Sequence, residues 1–329
     1  MEIYSRKVKN AELGDFVKME NILNEDVDLY DSDTGEIVFL FRKNIINKSY
    51  YDTIHQGIIN HSKTISNNRG NSAGKTTIEG LNKFQENWKP EAHPVALVDR
   101  HGTEISTKSQ SSSSFFKYAD GRLSKRARSN NVHSQALGGF DKSNIHPCRL
   151  THWTGKNLEK YKTMYPICEK ISEIYFSYFP DKYYLQLDRY KESPAEFLIP
   201  NSPFSTITLN CDFRTAVHED RGDFKDGMTC FSVYESGFWL GGELGFPEYD
   251  IALNVRQGDL LIFNPHIKHC NNPLIGSGRV SFVFYMREKM NRCQANDKKP
   301  LASLTTTISS SISGNENSSG GSVDSSGGS

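Results

Sequence analysis

Two histidines and a carboxylate carry the chemistry legible in this chain. His218-Glu219-Asp220 sets an imidazole and a carboxylate two residues apart, and 51 residues on stands His269, in His266-Ile267-Lys268-His269. Two imidazoles and one carboxylate on one face of a metal leave the opposite face open, the ligand set of non-haem Fe(II) oxygenases. Arg279 follows ten residues after His269, with Ser281 two further on. A guanidinium is a planar, bidentate partner for a carboxylate. Arg279 is therefore a candidate anchor for the far carboxylate of 2-oxoglutarate, with Ser281 on the same strand face as a second donor and O2 taking a remaining metal position.

Each residue has a plainer reading. A lone histidine is more often a hydrogen-bonded core or surface residue, and Arg279 alone could be a solvated strand arginine. His266 competes with His269, because both end the same strand. The offsets of His269 from Gly258-Asp259 and from Arg279 favour it, leaving His266 a supporting or packing role. Asn210 falls on the inward face of the preceding strand, as a contact to co-substrate or base or equally as a structural amide.

Elements that would position these residues can be read around them. Phe204 to Asn210 is rich in β-branched and aromatic residues and runs toward the His-x-Asp. Gly241-Gly242 marks a turn, Ile251, Leu253 and Val255 form one face of a strand, and Gln257-Gly258-Asp259 turns into Leu260 to Phe263. Arg279 to Tyr285 alternates, with Arg279 and Ser281 on one face. Strands and tight turns at this spacing predict a jelly-roll, a double-stranded β-helix, with its core at about residues 200–290. Upstream, Gly35 to Arg42 reads as a strand, Tyr50 to Ile59 as helix-like, and residues 61–74 as a loop. Leu158 to Phe179 has helical spacing, broken or kinked at Pro166. The class is α+β, with flanking N-terminal helices and strands. One domain is expected over 1–297, followed by a disordered Ser/Gly-rich tail over 298–329.

Composition bounds the rest. With 329 residues and 36% hydrophobic content, the chain can bury a sizeable core. Its six cysteines show no Cys-x-x-Cys pair, so a reduced, intracellular setting is expected, the nucleus if the source is eukaryotic. No apolar run approaches the roughly 18 residues that a membrane helix needs. The formal net charge is zero, so any affinity for nucleic acid must be local. The local candidate is Arg122, Lys125, Arg126 and Arg128 beside Phe115, Phe116 and Tyr118, which reads as a solvated loop or as a grip on phosphates with a support for an unstacked base.

At these residues the chain resembles the TET/JBP superfamily of 2-oxoglutarate and Fe(II)-dependent nucleobase dioxygenases, nearest the thymine-hydroxylase domain of the J-binding proteins. The resemblance is carried by Pro203 to Phe224, Gly241 to Tyr249, Val255 to Asp259 and His266 to Pro273, within a span of about 30 to 290. It implies that His218, Asp220 and His269 hold iron and that Arg279 holds 2-oxoglutarate. It also implies hydroxylation of the thymine methyl in DNA to 5-hydroxymethyluracil, the first chemistry of base J biosynthesis. A methyl on a stacked base is out of reach, so the nucleotide would be flipped or single-stranded. The rival reading is 5-methylcytosine; a protein or small-molecule hydroxylase and a non-catalytic jelly-roll are more distant. No further folded domain is expected after the barrel.

Overall fold

The computed structural model describes residues 1–84, 93–99, 101–107, 114–124, 129–142 and 146–294. The Ser/Gly-rich tail and Lys125, Arg126 and Arg128 lie outside these residues. The main sheet has ten strands. Its order runs Glu2–Ser5 (β1), Val27–Asp31 (β3), Ile37–Arg42 (β4), Leu260–Phe263 (β16), Thr229–Glu235 (β12), Arg279–Tyr285 (β19), Thr206–Cys211 (β11), Val132–Phe140 (β9) and Arg149–Leu150 (β10), with Ile65–Ser66 (β5) pairing with β9. A second sheet has the order Cys270–Asn271 (β17), Leu244–Phe246 (β14), Ile251–Leu253 (β15) and Asn21–Leu23 (β2). Trp239–Gly241 (β13) pairs with Leu274–Gly276 (β18). Glu104–Ile105 (β7), Pro94–Asp99 (β6) and Ser114–Tyr118 (β8) form a separate three-stranded sheet.

Strand β19 shows why the molecule is layered. Successive side chains leave opposite faces of a strand, and here both faces are covered. Val280, Phe282 and Phe284 join Ile207, Leu209, Cys230 and Ile262 in a core that also contains Ile167, Ile171, Ile174 and Tyr175 of the helix Tyr165–Tyr178. On the other face, Val283 packs with Phe231, Val233 and Phe263 against Leu244, Phe246, Ile251 and Leu253 of the second sheet. Each fully buried Phe contributes roughly 1.5–3 kcal/mol, and Phe282→Ala would cost about 3–5 kcal/mol. The two sheets therefore face each other across an apolar interior, and no hydrogen-bonded ring closes among the described residues.

The expected strands at Gly35–Arg42, Phe204–Asn210 and Leu260–Phe263 appear as β4, β11 and β16, and Arg279–Tyr285 appears as β19. The helical stretch breaks where Pro166 required, into Leu158–Lys162 and Tyr165–Tyr178, with the proline in the first turn, where its missing N–H costs nothing. Tyr50 to Ile59 splits into Ser49–Asp52 and Gln56–His61. The expected loop over 61–74 instead holds β5 and the 3-10 turn Gly70–Ala73. One pair departs from the expectation of reduced cysteines. Cys148 and Cys293 are disulfide-bonded across a separation of 145 residues, a pairing of distant segments that no local spacing signals. The other four cysteines are free and buried.

Candidate active site

His218, Asp220 and His269 come together at one end of the space between the sheets, their ligand atoms all within 4.8 Å of one another. The two histidines lie on separate segments joined by an isolated antiparallel bridge. The His218 N–H donates to the His269 carbonyl and the His269 N–H returns the bond, each at 3.0 Å. Each ring is oriented by its own chain: His218 Nδ1 meets the Ala216 carbonyl at 2.8 Å, and His269 Nδ1 meets the Ile267 carbonyl at 2.8 Å. A carbonyl only accepts, so both Nδ1 atoms carry the proton and both Nε2 lone pairs are free. Those Nε2 atoms face the Asp220 carboxylate at 3.7 and 3.5 Å. Backbone bonds that fix the tautomer of an imidazole are the usual support for a metal-binding histidine.

The electrostatics suit a cation. Burial pushes His218 down to about 4, reinforced by the neighbouring His269, so its imidazole is neutral and able to ligate. Burial alone would raise Asp220, but the facing rings of His269 and His218 and the charge of Arg69 hold it down at about 2, as an anion. Two imidazoles and one carboxylate are the donor set that suits iron, and the three residues fit it. His266 is outside this cluster, and its buried Nε2 has no partner.

A cavity of about 220 Å³ opens on the triad. The inner face of β19 lines it with Ser281, Val283 and Tyr285, and β11 contributes Thr208 and Asn210 from the opposing register. Asn210 Oδ1 accepts from Ser134 Oγ at 2.6 Å, which orients the amide. Arg279, two residues before Ser281 on the same strand face, is not among the residues that line this cavity; it is buried among Phe231 and Trp239, with its carbon Cζ 5.6 and 5.5 Å from their ring centres. Burial pushes its pKa down to about 10, and Nε and Nη2 have no hydrogen-bond partner. An unpartnered guanidinium inside a protein is a demand for an acceptor, and a carboxylate meets it. Asp212 holds the start of the strand, its Oδ1 accepting from the N–H groups of Gly278 and Arg279 at 2.8 Å each. Gly242, at φ +70°, lets its chain pass close, since a Cβ there would lie 2.8 Å from Leu274 Cδ1 and 3.4 Å from Arg279 Nε.

Arg122, of the expected basic run, is exposed on the three-stranded sheet's loop, bonded to Asp120 at 2.7 Å, and does not line the cavity. Several lining residues were not foreseen. Tyr285 shares the parity of Arg279 and Ser281, so the alternation of β19 contained it. Asp223 is buried with one oxygen accepting from Thr229 Oγ1 at 3.0 Å, and burial with the adjacent Asp220 charge holds its proton on above the usual carboxylate range. Arg287 pairs with Asp141 at 2.7 Å. Arg69 arrives from a segment with no chemical signature of its own.

Facing sheets with a two-histidine, one-carboxylate centre define a non-haem metal-oxygenase class of site. Residues 136–288 match the Tet_JBP family, described as the oxygenase domain of the 2OGFeDO superfamily. The chain is 31% identical over 176 residues to "Thymine dioxygenase JBP1" of Trypanosoma brucei brucei, covering 51% of this chain and 20% of the relative. It is 32% identical over 165 residues to "Bifunctional helicase and thymine dioxygenase JBP2" of Leishmania major, covering 48% of this chain and 15% of the relative. The chain thus spans about a fifth or less of the length of these curated relatives. Among solved structures, one titled NgTET1 in complex with 5mC DNA aligns at a TM-score of 0.54 and 11% identity, over 94% of this chain and 90% of that one, and establishes the shared fold. No helix among the described residues is long and apolar enough to cross a membrane.

Proposed function

We propose that the chain is an Fe(II)/2-oxoglutarate-dependent dioxygenase that hydroxylates the methyl group of thymine in DNA to 5-hydroxymethyluracil. The observation that carries this is the pairing of two features in one interior: a His218–Asp220–His269 face and a buried Arg279 with unpartnered donors. The relatives named as thymine dioxygenases supply the base. The facing sheets are read as the two walls of a jelly-roll, and residues 1–297 as one unit.

Iron bound with 2-oxoglutarate and O2 would supply oxidative decarboxylation coupled to hydroxylation of a nearby C–H bond. The chain supplies placement. His218, Asp220 and His269 would hold the metal through Nε2, a carboxylate oxygen and Nε2. Arg279 would hold the distal carboxylate of 2-oxoglutarate, with Ser281 on the same strand face as a second donor. Phe231, Phe263 and Leu244 give the cavity an apolar side. The target base would reach the cavity flipped or single-stranded, because its methyl is shielded in a stacked duplex. Asn210 and Tyr285 lie on the wall such a base would meet. Arg122, Lys125, Arg126 and Arg128 are candidate phosphate contacts by composition alone.

The deciding experiment is mass spectrometry of nucleosides from DNA incubated with the protein, Fe(II), 2-oxoglutarate and ascorbate. 5-Hydroxymethyluracil is the expected product. 5-Hydroxymethylcytosine alone would replace thymine with 5-methylcytosine as substrate. A His218→Ala, Asp220→Ala double variant that kept activity would sink the iron assignment.

A further inference from the structure

Arg69 enters the cavity from outside the two sheets, and its backbone is fastened on both sides. Its N–H donates to Ser129 Oγ at 3.0 Å and its carbonyl accepts from Ser72 Oγ at 2.7 Å. The Ser72 carbonyl in turn accepts from the Ala216 N–H at 2.9 Å, two residues before His218. The turn Gly70–Ala73 is thereby tied to the segment that carries the first metal ligand.

Its side chain is held quite differently. Nε is buried without a hydrogen-bond partner, and no carboxylate among the described residues forms an ion pair with the guanidinium. Arg69 lines the cavity with Asp220 and Tyr285, and also the groove outside it with Asn68, Glu219 and Arg221. Its position separates it from Arg279. Tyr285 and Arg279 stand at opposite ends of β19, roughly 20 Å apart at about 3.4 Å per residue, and the charge of Arg69 acts on Tyr285 and Asp220. Under the proposed function Arg279, at the other end of that strand, already provides for a carboxylate. Arg69 stands where the cavity meets the groove, the side open to a larger substrate.

The chemistry of a guanidinium narrows what it can read. It has five N–H donors and no acceptor. A pyrimidine with a carbonyl at C4 offers an acceptor there, whereas a cytosine offers an amino group, another donor. We propose that Arg69 determines specificity by donating to the C4 carbonyl of the flipped pyrimidine, selecting a 2,4-dioxopyrimidine against a 4-aminopyrimidine. This rests on the nucleobase reading of the site given above.

The test compares wild type with Arg69→Ala, Arg69→Lys and Arg69→Gln on oligonucleotides identical except for thymine or 5-methylcytosine at one position. Arg69→Ala should lose about 10–100-fold in kcat/KM on thymine, chiefly through KM, with little change on 5-methylcytosine and in 2-oxoglutarate affinity. Lysine, which keeps a donor, should restore part of the preference. Glutamine, which offers both a donor and an acceptor, should move it toward 5-methylcytosine, and these two variants decide the matter if alanine does not fold. Equal losses on both bases would assign Arg69 to phosphate or to the shared C2 carbonyl and overturn the proposal, as would a fall in 2-oxoglutarate affinity or unchanged kinetics. Fluorescence anisotropy of metal-free protein on the same oligonucleotides separates this idea from the one it rests on. If wild type oxidises neither base, the proposed function fails. A binding preference for thymine that Arg69→Ala removes would still support Arg69, and no preference in wild type would overturn it.

Discussion

Replacing Arg279 with methionine should move stability and co-substrate affinity in opposite directions. The guanidinium is buried, its Nε and Nη2 are unpartnered, and burial pushes its pKa down to about 10. That is roughly two and a half decades below a free guanidinium, and at about 1.4 kcal/mol per decade the charged form costs about 3 kcal/mol in the fold. Because the folded-state pKa is lowered, this penalty is present wherever Arg279 is protonated, which includes the whole neutral range. Methionine removes the charge and roughly keeps the volume, while the contacts with Trp239 and Phe231 are partly lost. A net gain of about 1–2 kcal/mol is expected, or about 2–4 °C in Tm for a domain of this size. Binding of 2-oxoglutarate should fall by at least about 30-fold, since truncating one partner of a buried charge pair costs about 2–5 kcal/mol. Differential scanning calorimetry of the ligand-free protein and isothermal titration with 2-oxoglutarate in the presence of Mn(II) measure the two effects. A variant that melts lower than wild type and binds 2-oxoglutarate equally well would refute the assignment of Arg279 as an anion site kept without a partner.

Other perturbations have equally definite outcomes. His269→Ala should reduce Fe(II) content after reconstitution to near background while His266→Ala leaves it close to wild type; the reverse result in metal analysis would exchange the two residues. Gly242→Ala, which strains φ +70° and crowds Arg279 Nε, should weaken 2-oxoglutarate binding by about 5–10-fold for a cost near 1 kcal/mol, read by the same titration. Tyr249 donates to the buried Asp31 at 2.6 Å and is the largest cause of its lowered pKa. A depressed carboxylate contributes stability above the ordinary carboxylate pKa that is lost as pH falls through its folded value. Tyr249→Phe should therefore cost about 1–2 kcal/mol at neutral pH and flatten the loss of Tm below about pH 4. Reducing the Cys148–Cys293 bond, which closes a 145-residue separation, should lower stability by about 2–5 kcal/mol, seen as a lower Tm in dithiothreitol; an unchanged Tm would mean the bond does not form in solution.

The parts of the site that sequence disclosed are those written in short periods. The alternation of Arg279 to Tyr285 gave the strand and its two faces, and tight glycine turns bounded β16. The paired His-x-Asp and His-x-x-His showed which chain segments converge. What stayed hidden depends on contacts between distant segments. Arg69 lies about 150 residues from His218 in a polar stretch that reads as loop, and long-range bonds such as that from Ala216 to Ser72 bring it to the cavity. Asp223 is an ordinary aspartate until burial and Asp220 keep it protonated. The nine-residue β9 escaped because Gln135, Gly138 and Gly139 blur its alternation. Cys148 and Cys293 pair across the fold and leave no local trace.

The reciprocal bonds between His218 and His269 have a consequence for metal exchange. The two imidazoles are carried on a miniature clasp of reciprocal backbone hydrogen bonds, which fixes the spacing of the two chain segments that bear them. Release is then governed by how often the clasp opens. Hydrogen exchange at the amides of His218 and His269, followed with and without metal, would report that opening directly, and its rate would set a ceiling on how fast the centre can trade one ion for another.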